Sequence, residues 1–213
     1  QDKMVDAVYT DEDKILGLDR RNVDPNFKTD YNIDLLRSHN YITHFFCVKT
    51  ELLKEIGGFK ADYDGAQDYD VILRCTEKAR KTEHIAKILY HWRMHDNSTA
   101  AKPASKAYCH EAGRKAVEDH LKRLGIPAKV ELSKLFGGSR VIYETPGNPL
   151  VSIVIPNKDH IDDLDKCVRS LFNVNTYKNI EVIIVENNST QKETFEYYDS
   201  IQKEYSNVKV LMW

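Results

Sequence analysis

The sequence predicts an α/β protein, with mixed sheets and flanking helices, and three observations lead there. Short apolar runs rich in β-branched residues, at 5–9, 151–155 and 180–185, read as strands. Stretches with helical spacing of apolar side chains fall between such runs. A turn-forming segment, Pro146-Gly147-Asn148-Pro149, interrupts the pattern, and the alternation of strand and helix restarts after it.

Taken in order, the run at 5–9 is a strand leading into Asp11-Glu12-Asp13, and 41–48 is a second strand candidate. Thr50 can cap a short helix over 51–56, which Gly57-Gly58 ends. A helix is expected over 67–79 and a strand over 84–90. Ala107, Ala112, Ala116, Val117, Leu121 and Leu124 share one face of a helix over 105–124, stopped by Gly125. Short strands at 130–136 and 140–145 precede the turn-forming segment. Beyond it come a strand at 151–155, a helix at 162–172, a strand at 180–185, a helix at 190–205 and a strand at 208–212. Continuous apolar strands separated by helices indicate a parallel sheet. The expected division is 1–125, a linker with short strands at 126–149, and 150–213. Three strands and two helices make an incomplete domain, so the last part reads as interrupted.

Charges of both signs are mixed, 31 basic against 33 acidic, for a net charge of −2. That argues against an electropositive nucleic-acid surface. No apolar run approaches the roughly 20 residues of a membrane helix. The N-terminus lacks an initiator Met and a signal-peptide pattern. Cys47, Cys75, Cys109 and Cys167 lie far apart with no Cys-x-x-Cys spacing, as expected of thiols in a reducing compartment.

Two acidic clusters carry the chemistry. Asp11 and Asp13 follow a strand, and carboxylates there suit a hard divalent cation. With one residue between them on extended chain, both point the same way. A calcium loop is excluded, because its sixth position needs glycine and holds Leu16. Asp68 opens the helix at 67–79, where the helix dipole favours a carboxylate placed for base work. Asp70 reads as structural or solvent-facing. A cation site and a separate base fit group transfer from an activated phosphate donor.

These motifs resemble the family-2 glycosyltransferases of the GT-A fold, the Rossmann-like nucleotide-diphospho-sugar transferases that build bacterial polysaccharide and O-antigen. Residues 1–125 resemble the second half of such a domain and 150–213 the first half of another, so both domains would be incomplete. The resemblance implies that Asp11 and Asp13 hold Mg²⁺ or Mn²⁺, with His95 as a third ligand. Asp68 would be the catalytic base, in a Gln67-Asp68 pair where the family often has Glu-Asp. Asn40, Tyr41 and the Gly57-Gly58 pair before Phe59 would lie on the acceptor side. His91-Trp92-Arg93-Met94-His95 resembles a loop that closes over the donor, with Arg93 meeting a phosphate. Val151-Ser-Ile-Val-Ile-Pro156 resembles the family's opening strand, with Pro156 and Asn157 at the nucleotide base. Glu186, standing where the family has Asp, would touch the uracil or thymine base and the ribose of the donor. The implied partners are a UDP- or dTDP-linked sugar donor and a glycan or lipid-linked glycan acceptor, in the cytoplasm at the inner membrane face.

Two other readings stay open. A strand ending in Asp-x-Asp is also the signature of haloacid-dehalogenase-like phosphatases, which want Thr or Val two residues after the second Asp. Here Lys14-Ile15 follows. A non-catalytic nucleotide- or glycan-binding module is the other. Dinucleotide binding is disfavoured, because Pro156-Asn157-Lys158-Asp159 replaces a glycine-rich turn.

Overall fold

The structure is a computed structural model that describes residues 2–16, 21–94, 107–135 and 137–213. It divides into two compact units, Gln1–Glu144 and Thr145–Trp213.

The first unit is built on strand β1 (Ala7–Leu16). Strand β2 (Arg21–Asn26) pairs antiparallel with its second half, and β3 (Phe46–Val48) antiparallel with its first half. Strand β4 (Thr82–Arg93) runs parallel along β1 from Ala7 to Ile15. The sheet is therefore mixed. Helix α1 (Ile33–Ser38) starts on Asn32, whose side chain accepts from the Leu35 amide. Helix α2 (Thr50–Glu55) begins with Thr50 inside the helix, and Lys49 takes the cap position without a side-chain bond. Helices α3 (Gln67–Lys78) and α4 (Ala107–Arg123) pack on one another. Their core holds Tyr9, Leu36, Ile42, Ile72, Leu73, Val117 and Leu121.

Strands β5 (Ala128–Leu132) and β6 (Ser139–Tyr143) form an antiparallel hairpin whose Val130 is buried in that same core. The strands expected within a linker thus belong to the first unit. The apolar side of Val130, with Ala128 and Val141 beside it, is what α4 buries.

The second unit is a parallel sheet in the order β7 (Val151–Asn157), β8 (Ile180–Glu186), β9 (Val208–Met212). Helices α5 (Ile161–Asn173) and α6 (Lys192–Glu204) pack on it. Leu164, Val168, Val182, Ile184, Tyr198, Ile201 and Val208 form its core. Val154 and Leu211 alternate out of phase with these residues and remain more than half exposed.

Among the described residues no helix is long and apolar enough to cross a membrane. All four cysteines are free thiols, and burial pushes that of Cys75 up to about 11.

Candidate active site

Strand β1 carries the first acidic cluster, and its pairing is irregular there. Register shifts against β4 fall between Thr10 and Asp11 and between Asp11 and Glu12, and another against β2 between Glu12 and Lys14. Bulges of this kind re-aim side chains. The three carboxylates of the cluster have three different environments, with Asp11 and Asp13 buried and Glu12 partly so.

Asp11 is buried, and its Oδ1 accepts from the Lys28 amide at 2.9 Å and from His84 Nε2 at 2.8 Å. The His84 ring stacks on Tyr9, which fixes it inside the sheet. Asp13 Oδ2 accepts from Asn22 at 2.9 Å, and Oδ1 meets His91 Nδ1 in a short contact. Glu12 and Asp13, with Asn26 and Trp92, line a cavity of about 170 Å³. Among the described residues no three His, Cys, Asp or Glu side chains come together as a ligand set for a metal ion. The carboxylate oxygens of Asp13 are of a type that suits Mg²⁺ or Mn²⁺. His95 lies outside the described residues.

The segment from Asn40 to His44 joins this cluster to Asp68. Glu12 Oε1 accepts from Thr43 Oγ1 at 3.0 Å, and the Thr43 amide donates to Asn40 Oδ1 at 3.2 Å. Asn40 Nδ2 in turn donates to Asp68 Oδ2 at 3.1 Å. Thr43 sits at φ +33°, a strained conformation for a β-branched residue. Lys28 holds it there from both sides: its buried ammonium donates to the carbonyls of Ile42, at 2.6 Å, and His44. Burial pushes the Lys28 ammonium below its usual range, opposed by the charges of Glu12 and Asp11. Burial raises the Glu12 carboxyl, but His44, Lys28, Asn26 and Thr43 outweigh it, so Glu12 is held below its ordinary value and ionised.

Asp68 is half-buried in the first turn of α3 and lines two cavities. One, of about 180 Å³, is shared with Asn40, Gly65, Tyr69, Cys109 and His110. Gly65 is required at its wall. Its φ is +91°, and a Cβ there would lie 2.6 Å from the Tyr108 ring and 2.7 Å from Cys109 Sγ. The other cavity, of about 220 Å³, is lined by Thr43, His44, Phe45, Phe46, Phe59, Asp68, Val71 and Ile72.

Asp70, two residues on, has a different role. It is fully buried, and both of its oxygens accept from Arg74 Nε, at 3.1 and 2.9 Å. Arg74 also donates to the carbonyls of Ile56, at 2.6 Å, and Gly58, at 2.7 Å. The clamp ties the Gly57-Gly58 turn to α3. Both glycines have positive φ, and a Cβ on either would meet only open space, so conformation alone demands glycine. The acceptor-side expectation thus lands on a turn that presents Phe59, which is the residue that reaches the cavity.

Tyr41 is a core residue, its hydroxyl accepting from the Asn32 amide at 3.0 Å. Residues 91–93, expected in a loop, continue β4, because they pair with Asp13, Lys14 and Ile15. Arg93 is exposed at that strand end.

In the second unit Asn157 and Glu186 end adjacent parallel strands, register partners brought together by the Tyr198 hydroxyl. Asn157 donates to that hydroxyl at 2.8 Å, and the hydroxyl donates to Glu186 Oε2 at 2.7 Å. Ser189 Oγ donates to the same oxygen at 2.6 Å, and its amide to Oε1. Burial raises the Glu186 carboxyl, yet these bonds outweigh it and hold the group below its ordinary range. Pro156 is exposed beside this network. Asp159, not foreseen from sequence, holds the turn that leads into α6 by accepting from the Thr190 and Gln191 amides at 3.0 Å.

Residues 152–213 match the family model described as Glycosyl transferase family 2. The uncharacterized protein y4gI of Sinorhizobium fredii is 42% identical over 207 residues, which are 96% of this chain and 23% of that protein. The O-antigen biosynthesis protein RfbC of Myxococcus xanthus is 40% identical over 188 residues, 88% of this chain and 15% of that protein. The chain therefore spans less than a quarter of the length of these relatives. Both likenesses extend across the two units, so the same succession recurs in those proteins. The matched segment begins in β7 and takes in α5, β8, α6 and β9, a partial domain of mixed α/β type. Residues 152–213 thus carry the glycosyl transferase family 2 pattern.

Proposed function

We propose that the chain contributes to an inverting glycosyltransferase that moves a sugar from a UDP- or dTDP-linked donor to a glycan or lipid-linked glycan hydroxyl in polysaccharide synthesis. Asp68 is the base. As the acceptor oxygen bonds to the anomeric carbon, its proton passes to the Asp68 carboxylate, and the bond from that carbon to the diphosphate breaks with its electron pair on the leaving oxygen. Attack opposite the leaving group inverts the centre, and a lone carboxylate base suits that outcome. A Mg²⁺ or Mn²⁺ ion, held at Asp13 with Asp11 and His95, would neutralise charge on the departing diphosphate. Arg93 meets a donor phosphate. In the second unit Pro156 and Asn157 stand at a nucleotide base, with Glu186 fixing the loop beside them.

The observation that carries this reading is the hydrogen-bonded series Glu12–Thr43–Asn40–Asp68, which joins the acidic strand to the helix-borne carboxylate beside two cavities. It is tested by sugar transfer from UDP- and dTDP-sugars by the full-length protein carrying Asp68→Asn. Transfer should fall by ~10²–10⁴ while nucleotide binding persists. Unchanged transfer would exclude Asp68 as the base.

A further inference from the structure

The side chain of Lys28 is 1% exposed, and its ammonium lies 4.0 Å from Glu12 Oε1. Burying a cation is costly unless it is paired and hydrogen-bonded. The bonds this one makes go to the carbonyls of Ile42 and His44, on either side of Thr43. Held from both carbonyls, Thr43 takes φ +33° and aims its amide N–H at Asn40 Oδ1. A backbone N–H only donates, so this bond decides which end of the Asn40 side-chain amide is the oxygen. The other end, Nδ2, is thereby presented to Asp68 Oδ2 at 3.1 Å. A hydroxyl proton passes only to an oxygen within hydrogen-bond reach, so the direction of the Asp68 carboxylate matters to transfer.

From these contacts we infer that Lys28 is a positioning residue for Asp68: its ammonium sets the turn at 42–44, and through Thr43 and Asn40 it sets the direction of the base. The inference rests on Asp68 acting as the base. Lys28 itself touches no reacting atom. Without the ammonium, Thr43 relaxes from a conformation that a β-branched residue disfavours, and its amide swings away from Asn40. The Asn40 amide is then free to turn, and the Asp68 carboxylate with it.

The test is steady-state sugar transfer from UDP- and dTDP-sugars by the full-length protein carrying Lys28→Met, an uncharged side chain of similar length, with thermal unfolding on the same samples. The kcat should fall roughly tenfold to a hundredfold, as for a misplaced catalytic group, with KM changed less than about twofold. In the Asp68→Asn background the same change should cost less than about twofold, because a residue acting through Asp68 has nothing left to position. A loss of folded protein would instead lower both backgrounds alike. Adding Thr43→Gly to Lys28→Met should return kcat to within about fivefold of the unaltered protein, since glycine adopts positive φ unaided. That double variant also covers the case in which Lys28→Met alone does not fold: folded but still slow, it would overturn the inference. Unchanged kcat in folded Lys28→Met, a loss carried by KM alone, or an equal loss in the Asp68→Asn background would each overturn it too. Transfer at the original rate by Asp68→Asn removes the base and this role together. Slow transfer by Asp68→Asn beside normal transfer by Lys28→Met removes the positioning role alone.

Discussion

Asp68 in the first unit and Glu186 in the second are both acidic residues at the end of an element, and both come from motifs that resemble one family. Glu186 is 2% exposed, and both of its oxygens accept from Ser189 or Tyr198 within the same unit. Asp68 is half-buried, accepts from Asn40, and borders two cavities. A carboxylate already engaged by several internal donors organises a loop. One that accepts from an amide side chain and has space beside it can exchange protons with a ligand. Asp70 sharpens the contrast within one helical turn, since Arg74 occupies it completely.

The largest stability effect should follow from breaking the buried clamp. Asp70→Ala leaves Arg74 uncompensated, and we expect a loss of about 3–5 kcal/mol in chemical denaturation of the first unit. Asp68→Asn should change the same measurement by less than about 1 kcal/mol. If the two variants behaved alike, the distinction between scaffold and site would fail.

In the second unit Glu186→Gln should cost about 1–3 kcal/mol, since a buried acceptor of three hydrogen bonds is compromised. The pH dependence follows from the lowered Glu186 pKa. A carboxyl held below its ordinary 4.5 adds stability above that pH and loses it as the pH falls through the native value. Acid unfolding followed by tyrosine fluorescence of the second unit should thus be shallower in Glu186→Gln.

A smaller effect is expected from Asn40→Ala, which removes the donor to Asp68 and the acceptor for the Thr43 amide. Stability should drop by roughly 1 kcal/mol. On the proposed reaction the pH–rate profile should shift as well, which a purely structural role for Asn40 would not produce.

Much of the fold was legible because its signals are local. Strand β9 has the expected bounds, and α3 differs by one residue. Continuous apolar runs and amphipathic spacing are properties of the segment itself. Strand β2 was missed because it is polar, mostly exposed and contains Pro25, a pattern confined to sheet edges. Helix α1, six residues long, is too short to show a period. The strand expected at 41–48 shrank to Phe46–Val48, because Lys28 and Asn40 hold Thr43 in a left-handed conformation.

The site was legible only in part. Motifs named Asp68 and Asn40, and the structure joins them. The roles of Lys28, Thr43, His84 and His91 depend on contacts between segments far apart in sequence, and no local pattern announces those. Sequence also gave no sign that Glu12 shares a cavity with Asp13, because that depends on Asn26 and Trp92 from other strands.

The most direct test of the central claim compares Asp68→Asn with the unaltered full-length protein in single-turnover sugar transfer, with nucleotide binding and thermal unfolding measured on the same samples. The account predicts unaltered unfolding, retained nucleotide binding and transfer slowed by ~10²–10⁴. Transfer at the original rate in a folded, nucleotide-binding Asp68→Asn protein would contradict it.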